Sequence, residues 1–162
     1  MLKASMPIID DKISLIQQMP KGSKILALDL GDKTIGLAIS DTDFTIASAL
    51  ETIKRKKFGA DATALEEIIK QETIGAMVMG WPLNMDGSEG PRAQSTRAFI
   101  RNFENRGTKL PIILWDERLS TMAVTRTLLE ADTSRAKRAE LVDKMAAAYI
   151  LQGFLDFLQE QK

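Results

Sequence analysis

Neither cysteine nor histidine occurs in the 162 residues. Their absence excludes disulfides, thiol nucleophiles, imidazole general bases and the usual Cys/His zinc sites together. Net charge of one sign is also missing, because 22 Lys and Arg balance 22 Asp and Glu. No global positive field draws in polyanions, so any nucleic-acid binding has to come from local patches. No stretch approaches the ~20 apolar residues that span a bilayer. The N-terminus lacks the apolar run and small-residue cleavage site of a secretory leader. A reducing, cytoplasmic setting without a membrane is expected, and the chemistry left to the chain rests on carboxylates, Lys, Ser, Thr and the lone Tyr149.

What is present is enough apolar residue, 44% of the chain, to close one sizeable core but not two. Residues 1–20 read as an N-terminal extension carrying a short helix, ending at the turn-rich Pro20-Lys21-Gly22-Ser23, and residues 21–162 as a single domain. Three strand-like runs follow at Lys24 to Leu30, Thr34 to Ser40 and Thr45 to Thr52, with connections short enough for antiparallel hairpins. The basic stretch Lys54-Arg55-Lys56-Lys57 precedes a helical pattern from Ala60 to Gln71, then an apolar strand from Ile74 to Met79. After a glycine-rich loop, a helix is expected from about Ala93 to Asn105 and a short apolar strand from Pro111 to Trp115. The last third reads as helix, from Thr121 to Glu130 and, past a capping joint at Asp132-Thr133-Ser134, on to about Leu158. Hairpins followed by alternating helices and strands predict an α/β fold, a mixed sheet with helices on its faces.

Three acids stand out against this pattern. Asp29 interrupts the apolar strand Ile25-Leu26-Ala27-Leu28-Asp29-Leu30 just before Gly31, where it either sits among buried neighbours or caps the glycine turn. Asp116-Glu117-Arg118 follows the strand that ends at Trp115, so one acid of the pair faces the rim of the sheet; an ion pair with Arg118 is the plainer alternative. Asp143 heads a helix face that continues through Ala146, Ala147, Ile150 and Phe154, although an acid favoured by the helix dipole would also occupy an early turn. If the three converge, each like-charge pair at ~4 Å costs about 4 kcal/mol at an effective dielectric of ~20, and bound divalent cations reverse the sign. Oxygen ligands without His or Cys select Mg²⁺ or Mn²⁺, and two such ions can activate water against a phosphodiester.

Candidate phosphate-holding groups surround these acids: Lys33 in the turn after Asp29, Arg92 ahead of the helical run with Arg97 and Arg101, Arg118, and Arg138 beyond the helical joint. Solvated helix faces remain the default reading for most of them. The loop from Gly80 to Pro91 adds an amide, Asn84, and a hydroxyl, Ser88, as substrate contacts, while Trp81 beside Pro82 either stacks on a base or packs.

Four segments carry a resemblance in order along Lys24 to about Leu158: Asp29-Leu30-Gly31-Asp32-Lys33-Thr34-Ile35-Gly36 continuing to Asp41, the Gly80–Pro91 loop, Asp116-Glu117-Arg118-Leu119-Ser120-Thr121, and the helix from Val142 to Asp156. Together they resemble the bacterial YqgF-type family of Holliday junction resolvases and pre-16S ribosomal RNA nucleases. The resemblance implies a ribonuclease H-like mixed five-stranded sheet, antiparallel hairpins then parallel strands, with helices on both faces. It implies a magnesium- or manganese-dependent nuclease with Asp29, Glu117 and Asp143 as metal-binding and catalytic carboxylates. The implied substrate is precursor ribosomal RNA, with branched DNA or a non-catalytic nucleic-acid-binding role as alternatives, and the protein would be a monomer or homodimer. Two positions depart from the pattern: Thr34 stands where the family usually has arginine, which removes or relocates a phosphate contact, and Trp81 where it usually has an aliphatic residue. Asp29 to Thr34 also resembles the phosphate loop of actin and sugar-kinase ATPases, but the chain is too short for their second domain.

Overall fold

The computed structural model describes residues 12–84, 86–116 and 135–160, with side chains described at 14, 16–84, 86–116 and 145–160. The expected helix from Thr121 to Glu130, its joint at Asp132 to Ser134, Glu117 and Arg118 lie outside the described residues, as do the side chains of Arg138 and Asp143.

A short helix α1 (Lys12–Gln18) leads into three strands, β1 (Lys24–Leu30), β2 (Thr34–Ser40) and β3 (Ala47–Lys54). Helix α2 (Phe58–Gln71), strand β4 (Ile74–Trp81), helix α3 (Pro91–Asn105), strand β5 (Ile112–Asp116) and helix α4 (Arg135–Glu160) follow. The five strands form one sheet in the order β3-β2-β1-β4-β5. β1 to β3 are joined antiparallel, and β4 and β5 are added parallel to β1. The pattern of hairpins followed by parallel strands is the one expected.

Alternation along β1 divides the core in two. Leu26, Leu28 and Leu30 join Leu65 of α2 and Phe99, Ile100 and Phe103 of α3 on one face. Ile25 and Ala27 meet Ala147, Ile150, Leu151 and Phe154 of α4 on the other. Every residue of β4 is buried, as expected of a parallel strand covered by helices on both faces.

The third strand starts two residues later than its apolar pattern suggests, for a reason that lies in the preceding turn. The Asp41 carboxylate accepts the backbone N–H of Thr45 at 2.7 Å, that of Ile46 at 3.1 Å and the Thr45 hydroxyl at 2.7 Å. Phe44 adopts a positive φ of 59° beside it, so pairing begins only at Ala47, opposite Ser40. These hydrogen bonds, that of Thr45 Oγ1 foremost, hold the Asp41 carboxyl below its ordinary value.

Phe154 ties α4 to the sheet. It is fully buried, with its ring edge-on to Trp115 of β5 at 5.6 Å. Phe154→Ala is expected to lower unfolding free energy by about 3–5 kcal/mol, measured by urea denaturation; a decrease under ~1 kcal/mol would show that α4 is not held through this ring.

Candidate functional site

Asp29 lies on the β1 face that bears Ile25 and Ala27, the side covered by α4, and is only 8% exposed. Its position follows from the period of the strand: two residues beyond Ala27, it points the same way. Opposite it in β2 stands Gly36, which has no side chain to crowd the carboxylate. The ladder between β1 and β4 runs only as far as Leu28, so Asp29 sits at the carboxyl rim of the sheet, where open α/β sheets place their sites.

β5 delivers Asp116 to the same rim, since it runs parallel to β1 through β4, with Trp81 opposite Asp116. Here the alternation gives that acid a face. Leu114 packs with the α2/α3 side and Trp115 with the α4 side. Asp116 therefore falls on the α2/α3 side, away from the face of Asp29.

Of the expected phosphate contacts, Lys33 is exposed in the β1–β2 turn, and its carbonyl accepts the Arg55 backbone N–H at 2.8 Å. Arg92 is exposed at the start of α3, with Nη2 reaching the Leu30 carbonyl at 3.4 Å. Arg101 is exposed further along that helix.

Asn84 and Ser88 take part in the internal bonding of their loop. Asn84 N donates to the Ser88 carbonyl at 2.8 Å and Asn84 Nδ2 to Ser88 Oγ at 3.0 Å. The Asp86 carboxylate accepts Ser88 N at 2.9 Å and Ser88 Oγ at 2.6 Å. Gly87, at φ 89°, makes the turn that an L side chain would strain. These residues shape the loop beside the rim.

Trp81 packs. It is 8% exposed and lies under the Arg97 guanidinium, 4.8 Å from ring centroid to Cζ. Arg97 in turn binds Glu89 through two hydrogen bonds, at 2.9 and 2.8 Å. This clamp ties the loop's start, its end and the second turn of α3 together.

Two groups without an assigned role in the sequence pattern also reach the rim. Arg55, just past β3, donates from Nη1 to the Gly31 carbonyl at 2.7 Å. Asp61, 2% exposed in the first turn of α2, accepts the Lys56 backbone N–H at 2.9 Å and stands 3.8 Å from Arg55 Nε. The run Lys54-Arg55-Lys56-Lys57 was visible as a charge cluster. Its approach to the Gly31 turn depends on the β2–β3 register, which sequence periodicity does not report.

The sheet order and the mixture of antiparallel and parallel pairings define the ribonuclease H-like α/β class. Within the solved structures, the chain is similar to Thermus thermophilus RuvC in complex with a Holliday junction substrate, with a TM-score of 0.54 at 14% identity, covering 85% of this chain and 96% of that one; that likeness speaks to the fold. The family profile described as "RuvX: Holliday junction resolvase" matches residues 23–157, and the chain belongs to this family. Its relatives include proteins of Roseobacter denitrificans, 55% identical over 92% of both chains, and Ruegeria pomeroyi, 59% identical over 87% of this chain and 91% of that one. Both carry the name "Putative pre-16S rRNA nuclease".

The clamp makes a pH prediction. Hydrogen bonding from Arg97 depresses the Glu89 carboxyl below its ordinary value. A depressed folded-state value contributes stability above the unfolded-state value, lost as pH falls through the folded one. In an NMR titration, the Glu89 carboxyl is expected to titrate below a free glutamate and to move up towards it in Arg97→Ala; an unmoved value would contradict the clamp.

Proposed function

We propose that this chain is a divalent-metal-dependent nuclease acting on structured nucleic acid, with the 5′ end of precursor 16S ribosomal RNA as its substrate. Asp29, Glu117 and Asp143 are the carboxylates assigned to the metal. The observation that carries the assignment is the placement of Asp29 together with the direction of α4.

Gln152 of α4 is bonded to both ends of the Thr45–Ala47 segment: its Oε1 accepts Ala47 N at 2.9 Å and its Nε2 donates to the Thr45 carbonyl at 3.0 Å. Gln159 continues in the same direction, donating to the Phe44 carbonyl at 2.9 Å. Ala47 pairs with Ser40, and Ser40 Oγ accepts Ile25 N at 2.8 Å, so this part of α4 is level with the start of β1. From position 152 back to 143 the helix covers ~13.5 Å at 1.5 Å per residue. From Ile25 to Asp29 the strand covers ~13 Å at 3.3 Å per residue. Position 143 also shares the helical stripe of the buried Ala147, Ile150 and Phe154. The arithmetic thus supports bringing positions 29 and 143 to one level on one face. The alternation in β5 favours Glu117 over Asp116 as the third ligand.

The donor set fits a hard cation. Asp29 is a nearly buried carboxylate at an open strand end, and a chain without His or Cys offers oxygen ligands of the kind Mg²⁺ and Mn²⁺ prefer. Held by these carboxylates, a divalent ion would supply Lewis-acid activation of the attacking water and charge stabilisation of the leaving oxygen. The protein's part is to hold the carboxylates in register through the sheet and α4. Lys33, Arg92, Arg118 and Arg138 are assigned to the phosphates of the strand, and the Asn84–Ser88 loop to flanking it. The names of the close relatives support ribosomal RNA as substrate; the family description supports four-way DNA junctions as the second reading.

Labelled precursor 16S RNA and a synthetic four-way DNA junction, each with and without Mg²⁺, separate the two substrates. Asp29→Asn and Asp143→Asn are expected to lower Mg²⁺-dependent cleavage at least ~100-fold, the scale on which removing a group that stabilises the transition state acts, while the circular dichroism spectrum is retained. Cleavage at the wild-type rate in either variant would overturn the metal assignment.

A further inference from the structure

On the other side of the β1 rim from Asp29 the chain forms a polar cleft of about 400 Å³, lined by Leu30, Gly31 and Asp32, by Arg55 and Lys56, and by α3 residues from Pro91 to Thr96. We propose that this cleft seats a backbone phosphate of the nucleic-acid strand whose scissile linkage meets Asp29, so that the strand crosses the carboxyl edge of the sheet. The proposal rests on the nuclease reading above and extends it to Arg55 and Lys56.

Three chain segments far apart in sequence bring the cations here. The pair Thr34 and Lys54 closes the β2–β3 ladder, and the next bond, Arg55 N to the Lys33 carbonyl, lays the basic run against the β1–β2 turn. The Arg55 guanidinium is then oriented from three sides: by the Gly31 carbonyl at 2.7 Å, by Asp61 at 3.8 Å, and by the Phe99 ring, 6.0 Å from centroid to Cζ. Nη2 is left without a hydrogen-bond partner among the described residues. Asp61 also fixes the Lys56 backbone and so acts as a positioning residue. Arg92 closes the far wall, its Nη2 near the Leu30 carbonyl.

The lining selects the ligand by what it holds. Arg55, Lys56 and Arg92 outnumber Asp32, and the Ser95 hydroxyl adds a neutral donor. A guanidinium with an available N–H edge suits a phosphate oxygen. Among the described residues no aromatic side chain lines the cleft, so they offer no platform for a base, and interactions of this kind position a strand without reading its sequence.

Binding without cleavage tests this directly. Fluorescence anisotropy of a labelled RNA hairpin with a single-stranded flank, in EDTA, gives the affinity between low and moderate salt, about 50 to 200 mM. Removing one phosphate-neutralising cation should flatten the slope of log K against log salt by roughly 0.7–0.9. Lys56→Gln/Arg92→Gln is expected to weaken binding about tenfold or more in this salt range and to flatten the slope by roughly 1–2. Lys70→Gln/Lys109→Gln removes the same charge from exposed positions outside the cleft and should change affinity less than about twofold. Equal effects of the two pairs, or no binding by the wild type, would overturn the proposal. Wild-type protein that binds through the cleft yet never cleaves in Mg²⁺ would leave the cleft standing and remove the nuclease reading. Cleavage by wild type with no special effect of the cleft pair would do the reverse.

Discussion

The central strand β1 is buried on both faces, with helices α2 and α3 against one and α4 against the other, and its side chains alternate strictly between them. A carboxylate on such a strand has few acceptable places, because desolvating it deep in either core costs several kcal/mol without compensation. Asp29 occupies one of them, at the rim, opposite a glycine and one step past the ladder with β4. Shifting the register by one residue would move Asp29 to the α2/α3 face and turn Leu26, Leu28 and Leu30 towards α4, mispacking both cores. The requirement that packs the protein therefore also decides which side of the sheet bears the acid.

The two faces of the rim divide the work proposed for the molecule. The α4 side holds the acid and the helix that carries position 143. The α2/α3 side holds the cationic cleft, where Asp61 and the Gly31 carbonyl fix Arg55. The cleft keeps acids of its own, Asp32 in its lining and Asp61 behind Arg55, while Asp29 lies across the sheet from these cations. The Trp81–Arg97–Glu89 clamp fixes the loop that leaves β4 relative to α3. Tryptophan at position 81 gives the guanidinium an aromatic face, which the aliphatic residue expected there would not.

Much of the fold was legible in the chain. β1 and β2 coincide with their apolar runs, and α2, β4, α3 and β5 fall within two residues of theirs, because burial imposes periods of two and 3.6 that local sequence records directly. The third strand was displaced because the Asp41 side chain, not strand propensity, governs where pairing resumes. For the site, Asp29 stood out as a charge in an apolar strand, whereas Asp116 and Glu117 looked interchangeable. Only the packing of Leu114 and Trp115 on opposite sides of the sheet assigned Asp116 a face.

The sequence by itself determined the types of the described elements and, by lacking His and Cys, left only oxygen donors for any ligand set; among the acids it favoured Asp143, heading an apolar helix face, with Asp29 carried more by the resemblance. Tertiary structure alone decided that Arg55 reaches the Gly31 turn, that Asn84 and Ser88 bond within their own loop, and that Trp81 lies beneath Arg97. Periodicity is a property of neighbours within one element. Pairings such as Arg55 with Gly31, 24 residues apart, depend on strand order and register, which arise only when all the elements pack at once. The same packing gives Asp29 its face, its depth and its edge of the sheet.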